Sequence, residues 1–280
     1  MAEKTDNRFL ISVILATYNW PEALSLCLHS LNAQTDLNFE VVIADDGSKP
    51  ETTTLINDFK SIVKFPLGHV WQEDIGFRKA LILNQAIAEA KGEYLVFLDG
   101  DCLVQPDFIA QHRSLARQGN LVTGSRVLLG QGITRQWLFE QTSAGLKYPI
   151  WSFKRTVWRL PFMRLKSYVN KLLPFYFKLP FNRWRIYSSF VWRRIKGCNM
   201  ACWKKDAVRI AGFDATLTGW GHEDADFVFR LQDSGVRRVS GAWATEVLHL
   251  DHPVSDRAKA EENARLVRAR ILAKASNPIC

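Results

Sequence analysis

Three apolar runs constrain this chain more tightly than any other feature of it: FLISVILA from Phe9 to Ala16, FEVVIA from Phe39 to Ala44, and EYLVFL from Glu93 to Leu98. Each is short, almost free of polar interruption and rich in β-branched or aromatic residues. A strand with one wet face alternates apolar and polar positions, so a run lacking that alternation must be covered on both faces. The intervening chain supplies the cover. The Pro21 region opens a helical stretch reaching about Asn32, another falls near Glu51 to Lys60, and Lys79 to Ala90 places Ala80, Leu83, Ile87 and Ala90 on one face. A short strand around His69 to Gln72 separates the last two. Strand and helix alternating at this spacing predict a mostly parallel α/β sheet flanked by helices.

The later chain reads as a strand over Cys198 to Trp203, a helix over Asp224 to Gln232, one or two strands between Arg238 and Leu250, and a terminal amphipathic helix over Asp256 to Ala275. With 280 residues, 47% hydrophobic and 23% charged, the chain can bury the core of one large domain. No stretch reaches the roughly 18 to 20 apolar residues that span a bilayer, and the opening MAEKTDNRF lacks the basic-then-apolar order of a signal peptide. The five cysteines (27, 102, 198, 202 and 280) are odd in number, and Cys198 and Cys202 lack the second pair of a zinc site. Reduced thiols and a cytoplasmic location are therefore expected.

The net charge of +9 is local in origin: Lys147 to Lys196 holds thirteen Lys or Arg and no Asp or Glu, which leaves the rest of the chain at 9 − 13 = −4. Fourteen aromatics interleave with those cations, the composition of a chain lying at an anionic membrane face. A buried insertion with outward-reaching Lys and Arg is the plainer reading. No signature of a nucleic-acid module accompanies the segment, so no nucleic-acid partner is expected. Pro161, Pro174 and Pro180 should break it into short helices.

Ligands of open α/β sheets bind outside the carboxyl ends of the strands. The first strand ends in Thr17-Tyr18-Asn19, the second in Asp45-Asp46-Gly47-Ser48, and the fourth in Asp99-Gly100-Asp101. Asp-Asp-Gly-Ser by itself is also an ordinary turn and helix cap. Asp99-Gly100-Asp101 is more pointed, because alternate carboxylates separated by glycine can face one hard cation shared with phosphate oxygens. Further on, GWGHEDADF (219 to 227) packs a Trp, two glycines, a His and three carboxylates in front of a helix. Carboxylates there stabilise a helix N-terminus by roughly 0.3 to 1 kcal/mol, but that leaves the Trp and the glycines without a reason.

Taken in order, ISVILATYNWPEALSLCLHSL, VVIADDGS and LVFLDGDC resemble the nucleotide-binding half of a family-two glycosyltransferase with the GT-A fold. GWGHEDADFVFRL resembles the acceptor-side motif of the galactosyltransferase group and of bacterial chondroitin-polymerase-like enzymes. The resemblance covers about residues 9 to 127 and 196 to 252 and implies a Rossmann-like, mostly parallel sheet flanked by helices; the basic aromatic segment lies outside it and is expected as a helical insertion. It further implies that Asp45 or Asp46 holds the base and ribose of a donor, with Thr17 and Tyr18 in the same pocket and Arg78 facing uracil or diphosphate. Asp101 would ligate a divalent metal, Mn²⁺ or else Mg²⁺, with Asp99 on metal or ribose. Asp224 would be the general base, Glu223 would bind the acceptor, and Trp220 would wall the sugar, with Gly219 and Gly221 letting the loop fold over the donor. His249 is the third metal ligand on this reading, and His252 competes with it. The chain departs from the family at Leu83-Asn84, where an Arg-Asn pair is often found, so one expected cation is missing.

The resulting expectation is an inverting, metal-dependent hexosyl- or N-acetylhexosaminyltransferase. It would use a nucleotide-sugar, a UDP-sugar by preference, and a glycan or lipid-linked oligosaccharide acceptor in lipopolysaccharide or other surface-polysaccharide synthesis, peripheral on the inner membrane face. Residues 1–127 form its nucleotide-sugar-binding half, 128–196 the basic insertion associated with membrane or acceptor, and 197–280 the acceptor-side half, in one catalytic domain. The rival classes are a nucleotidyltransferase, which should carry an early basic Gly-rich loop, and a non-catalytic membrane-surface nucleotide-binding or scaffold protein, which has no use for Asp99, Asp101, Glu223 and Asp224 together.

Overall fold

The computed structural model describes residues 9–144, 162, 169–171, 178–192, 194–253 and 256–276. Its centre is a seven-stranded sheet built from β1 (Ile11–Thr17), β2 (Phe39–Asp45), β3 (Leu67–Trp71), β4 (Tyr94–Asp99), β6 (Asn120–Thr123), β8 (Asn199–Trp203) and β9 (Arg237–Ser240), in the order β3-β2-β1-β4-β8-β6-β9. The four N-terminal strands pair in parallel. The apolar runs are unbroken because both faces of these strands are covered. Ile11, Val13 and Leu15 pack with α1 (Pro21–Asn32), α2 (Pro50–Phe59) and α4 (Phe108–Leu115) on one side. Ile14, Val42, Leu95 and Phe97 pack with α3 (Lys79–Glu89), α6 (Lys204–Arg209) and α7 (Glu223–Asp233) on the other. Fully burying a side chain of this size stabilises by about 1.5–3 kcal/mol, which makes this layered core the main source of stability.

The sheet departs from all-parallel at β8, which runs antiparallel to both β4 and β6. The stretch NMACW therefore sits mid-sheet and joins the two ends of the chain into one core. A second, three-stranded sheet, β5 (Cys102–Val104), β10 (Val247–His249) and β7 (Arg126–Leu128), packs through Leu103, Val127 and Leu248 on the outer side of α1 and on Ile133 of α5 (Gln131–Ala144). The run from Arg238 to Leu250 thus divides between two sheets. The terminal helix, α8 (Ala260–Ser276), begins a few residues later than its amphipathic pattern suggested.

The helical insertion expected over Lys147 to Lys196 lies largely outside the described residues, Pro161 and Pro174 included. Residues 178–192 are irregular except for one 3₁₀ turn, Arg183–Arg185, and an isolated antiparallel bridge from Ile186 to Val239. Cys27, Cys102, Cys198 and Cys202 are buried free thiols. No helix among the described residues is long and apolar enough to cross a membrane.

Candidate active site

The register brings the strand ends together: Thr17 lies opposite Asp45 across β1 and β2, and Ala16 lies opposite Asp99 across β1 and β4. The first two turns are laced to each other. Asn19 N–H donates to Ser48 Oγ at 2.9 Å, and Lys49 N–H donates to Asn19 Oδ1 at 2.8 Å. Beside them opens a pocket of about 690 Å³, lined by Thr17, Tyr18, Asp46, Lys79, Asp99 and Asp101 from the first half of the chain, and by Trp220, Glu223, His249 and His252 from the second.

The two aspartates at the end of β2 have different surroundings. Asp45 is fully buried, accepts from Ser48 N–H at 2.8 Å and faces His69 Nε2 at 3.1 Å, and it is not part of the pocket wall. Asp46 is on the wall, held by Gln72 Nε2 at 2.5 Å and by Arg78 N–H at 2.9 Å, and its burial pushes its pKa upward. Tyr18 is half exposed and donates to Asp74 Oδ2 at 2.9 Å. The Arg78 guanidinium turns back onto the Glu73 carbonyl and does not line the pocket.

Lys79, which the sequence reading passed over, lines it instead and bonds Asp99 Oδ1 at 2.5 Å. Burial opposes the Lys79 charge, but the carboxylates of Asp99 and Glu223 outweigh it and hold the amine above its ordinary range. Leu83, where a cation was expected, is core, and Asn84 exchanges two 2.8 Å bonds with the Phe213 backbone. The positive charge enters one helical turn earlier, at i−4 on the same face of α3. The Arg78-Lys79 pair at the helix start was its visible signal.

The small sheet assembles a second cluster. His249 pairs with Cys102 across β10 and β5, and Leu250 N–H donates to the Asp101 carbonyl at 3.0 Å, which draws the end of β10 over Asp101. One donor atom each from Asp101, His249 and His252 lies within 4.8 Å of the others. The two Nε2 atoms are 3.6 Å (His249) and 3.1 Å (His252) from Asp101 Oδ2. Each ring is set by its other nitrogen, Nδ1, which donates to the Leu250 carbonyl at 2.8 Å in His249 and to the Pro253 carbonyl at 2.7 Å in His252. A carbonyl only accepts, so Nδ1 carries the hydrogen and Nε2 turns to Asp101, the arrangement that fixes metal-ligating histidines. Two imidazoles and a carboxylate suit a borderline divalent cation better than an all-oxygen-seeking one. Asp99, engaged by Lys79, is outside this group, and both histidines are in it.

The GWGHEDADF stretch bends over the pocket. Gly219, Gly221 and His222 all take positive φ (75°, 111° and 75°), conformations that glycine adopts without the Cβ penalty. A Cβ on Gly219 would lie 2.8 Å from Lys259 Cβ. Trp220 lines the pocket with the Arg257 guanidinium 4.8 Å from its ring centroid, while His222 packs on Trp192. Glu223 is nearly buried and faces the pocket; burial first, then the Asp224 charge, pushes its carboxyl up to about 7. Asp224 turns the other way, accepting from Gly197 N–H at 2.9 Å and Ala225 N–H at 2.7 Å. The third carboxylate, Asp226, is fully buried and holds Arg230 at 2.7 Å and Arg270 of α8, which makes it a structural anchor.

A sheet of this order, with strand-end carboxylates and a carboxylate-histidine cluster around one pocket, has the GT-A fold. The family model described as "Glycosyl transferase family 2" matches residues 12–182, more than half of the chain, and the chain belongs to that family. A second model, "N-terminal domain of galactosyltransferase", matches residues 179–253. The chain is 29% identical over 247 residues to validoxylamine A glucosyltransferase of Streptomyces hygroscopicus subsp. jinggangensis, covering 86% of this chain and 56% of that protein. It is 29% identical over 246 residues to Escherichia coli chondroitin synthase, covering 84% of this chain and 34% of that protein. The chain thus spans about half or less of these relatives' length. Among solved structures, GalNAc-T7 with UDP, GalNAc and Mn²⁺ superposes with a TM-score of 0.63 at 14% identity, over 94% of this chain and 48% of that one.

Proposed function

We propose that this chain transfers a sugar from a UDP-sugar to a glycan acceptor by a single inverting displacement, with Asp224 as general base. The observation that carries the proposal is the gathering of Asp46, Lys79, the Asp101-His249-His252 cluster and Glu223 around one pocket, with Asp224 next in sequence to Glu223 at the same helix start. Breaking the bond between the anomeric carbon and the nucleoside diphosphate leaves negative charge on phosphate oxygens. Asp101, His249 and His252 would hold a divalent metal, Mn²⁺ by ligand type with Mg²⁺ as the alternative, and a bound ion would supply Lewis acidity to that leaving group. Lys79 adds a fixed positive charge on the same side. Asp46, Thr17 and Tyr18 take the base and ribose, Arg78 orders the turn beneath them through its backbone, and Asp99 is set by Lys79 for the ribose or the cation.

On the acceptor side, Trp220 offers a flat apolar wall to a sugar ring, and Gly221 lets that wall close. Glu223, with a carboxyl near 7, shares a proton with an acceptor hydroxyl. Asp224, fixed by two backbone donors, takes the proton of the attacking hydroxyl as the new bond forms on the face opposite the departing diphosphate. UDP and Mn²⁺ in a fold neighbour support the donor and the metal, and a relative named chondroitin synthase supports a glycan acceptor. The basic aromatic composition of Lys147 to Lys196 supports an acceptor met at the inner membrane face, such as a lipopolysaccharide or carrier-lipid oligosaccharide.

The test is a panel of nucleotide-sugars incubated with the protein and Mn²⁺, with and without EDTA, following release of nucleoside diphosphate. Metal-dependent release from one UDP-sugar is expected. Absence of release from every donor, together with no UDP binding, would overturn the proposal. Asp101→Ala and Asp224→Asn should each abolish transfer, and Asp224→Asn should still bind UDP; turnover by Asp224→Asn removes its role as base.

A further inference from the structure

A second recess, about 630 Å³, adjoins the first and belongs to no part of the donor chemistry. Arg126 lines both, and among the described residues Lys171, Arg194 and Lys196 bring the cations on the wall of the second to four. None of the four makes an ion pair with a described residue. Lys171 Nζ donates to Ser125 Oγ at 3.0 Å and to the Arg126 carbonyl at 3.1 Å, and Arg126 approaches Cys198 Sγ at 3.9 Å. Among the described residues the one carboxylate on the wall is Glu246, which is 1% exposed and accepts from Trp243 N–H through one oxygen. Glu246 on the wall offsets part of the Lys171 charge and Asp99 part of the Arg126 charge, but four cations against one wall carboxylate leave the concavity net positive, and an anion that enters it relieves their repulsion. The recess also has a fixed relation to the reaction: Arg194 and Lys196 belong to the strip that ends in Gly197, whose N–H holds Asp224.

From this juxtaposition we infer that the recess is an acceptor subsite for an anionic group, a carboxylate or phosphate borne by the acceptor glycan, seated beside the hydroxyl that Asp224 deprotonates. The inference deepens the transferase reading and rests on it for the word acceptor, while the anion site stands on the four cations. An anionic acceptor held here has its charge neutralised by Arg194, Lys196 and Lys171, with Arg126 bridging toward the donor pocket. A neutral acceptor gains nothing from them.

The test is direct binding of three probes in the presence of UDP and Mn²⁺: a glucuronic-acid-terminated disaccharide, N-acetylglucosamine 1-phosphate and an uncharged disaccharide. At least one anionic probe should bind about tenfold tighter than the neutral one, and a Lys171→Gln, Arg194→Gln, Lys196→Gln variant should lose that preference. The two anionic probes distinguish a uronate from a phosphate. Equal binding of all three probes, or an unchanged preference in the variant, overturns the inference. Loss of anionic-vesicle binding in the variant with no preference among the sugars would make the recess a lipid-headgroup site and overturns it too. UDP binding measured in parallel separates the two readings: absence of UDP binding in the wild type counts against the donor chemistry, whereas an intact anion preference still supports the recess.

Discussion

The Glu-Asp pair illustrates how two adjacent carboxylates acquire different surroundings. Glu223 is buried toward Lys79 and Asp99, and Asp224 lies against backbone donors across the helix start. The Glu223 carboxyl, raised from 4.5 to about 7, keeps in the folded protein a proton that the unfolded chain releases. Its contribution to stability is therefore complete below about 4.5 and is lost as pH rises through about 7. Thermal midpoints of the wild type should fall between pH 5 and pH 8 more steeply than those of Glu223→Gln, since glutamine has no proton to lose. Parallel pH profiles for the two proteins would show that burial of Glu223 carries no such cost.

Among elements, α8 decides how the active-site loop is held. Asn263 Nδ2 donates to the carbonyls of Gly221 at 3.0 Å and Thr218 at 3.2 Å, and Lys259 Nζ donates to Thr218 Oγ1 at 2.8 Å. Arg270 reaches Asp226 of α7 and Asp214 at 2.8 Å, so one helix clasps both sides of the motif. Removing the Asp226 carboxylate leaves Arg230 with the Ile210 carbonyl and Arg270 with Asp214, each short of one charged partner at a buried position. Because both arginines keep some solvent, Asp226→Ala should cost about 2 to 4 kcal/mol, at the lower end of breaking a buried pair. Denaturant unfolding measures this, and a change below about 0.5 kcal/mol would mean that α8 is held by its apolar contacts alone. Transfer should also weaken in that variant, through the loosened loop.

For the whole molecule, the basic segment is not uniformly available to a membrane. Arg185 is buried and donates to the carbonyls of Leu179, Pro180, Ser240 and Ala242, and Lys178 donates to Gln105 Oε1 at 2.5 Å and the Ala244 carbonyl at 3.0 Å. These cations staple the segment to the sheet. Arg183 and Trp184, by contrast, face outward on the 3₁₀ turn, Trp184 at 73% exposure, a charged and aromatic pair suited to a headgroup layer. The protein should sediment at low salt with vesicles of about 30% anionic lipid, release at high salt, and bind more weakly after Trp184→Ala. Failure to sediment at low salt would remove the membrane role proposed for the segment.

Local chemistry was legible along the chain wherever a residue type admits few environments. Unalternated apolar runs required two-sided cover, and polar clusters at strand ends marked one edge of the sheet. Two glycines flanking Trp220 announced a bend. These follow from periodicity and backbone sterics, which act over a few residues. Pairings between distant segments were not legible. Only the folded chain inserts β8 antiparallel between β4 and β6 and turns Glu223 inward while Asp224 faces Gly197. The family resemblance already joins Asp101 to His249, with His252 as its rival; the fold draws the end of β10 over Asp101 so that both histidines meet it. Lys79 on Asp99 and the four-cation recess belong to the same class. Which charges share a cavity depends on contacts between residues tens to more than a hundred positions apart, and no local pattern records them.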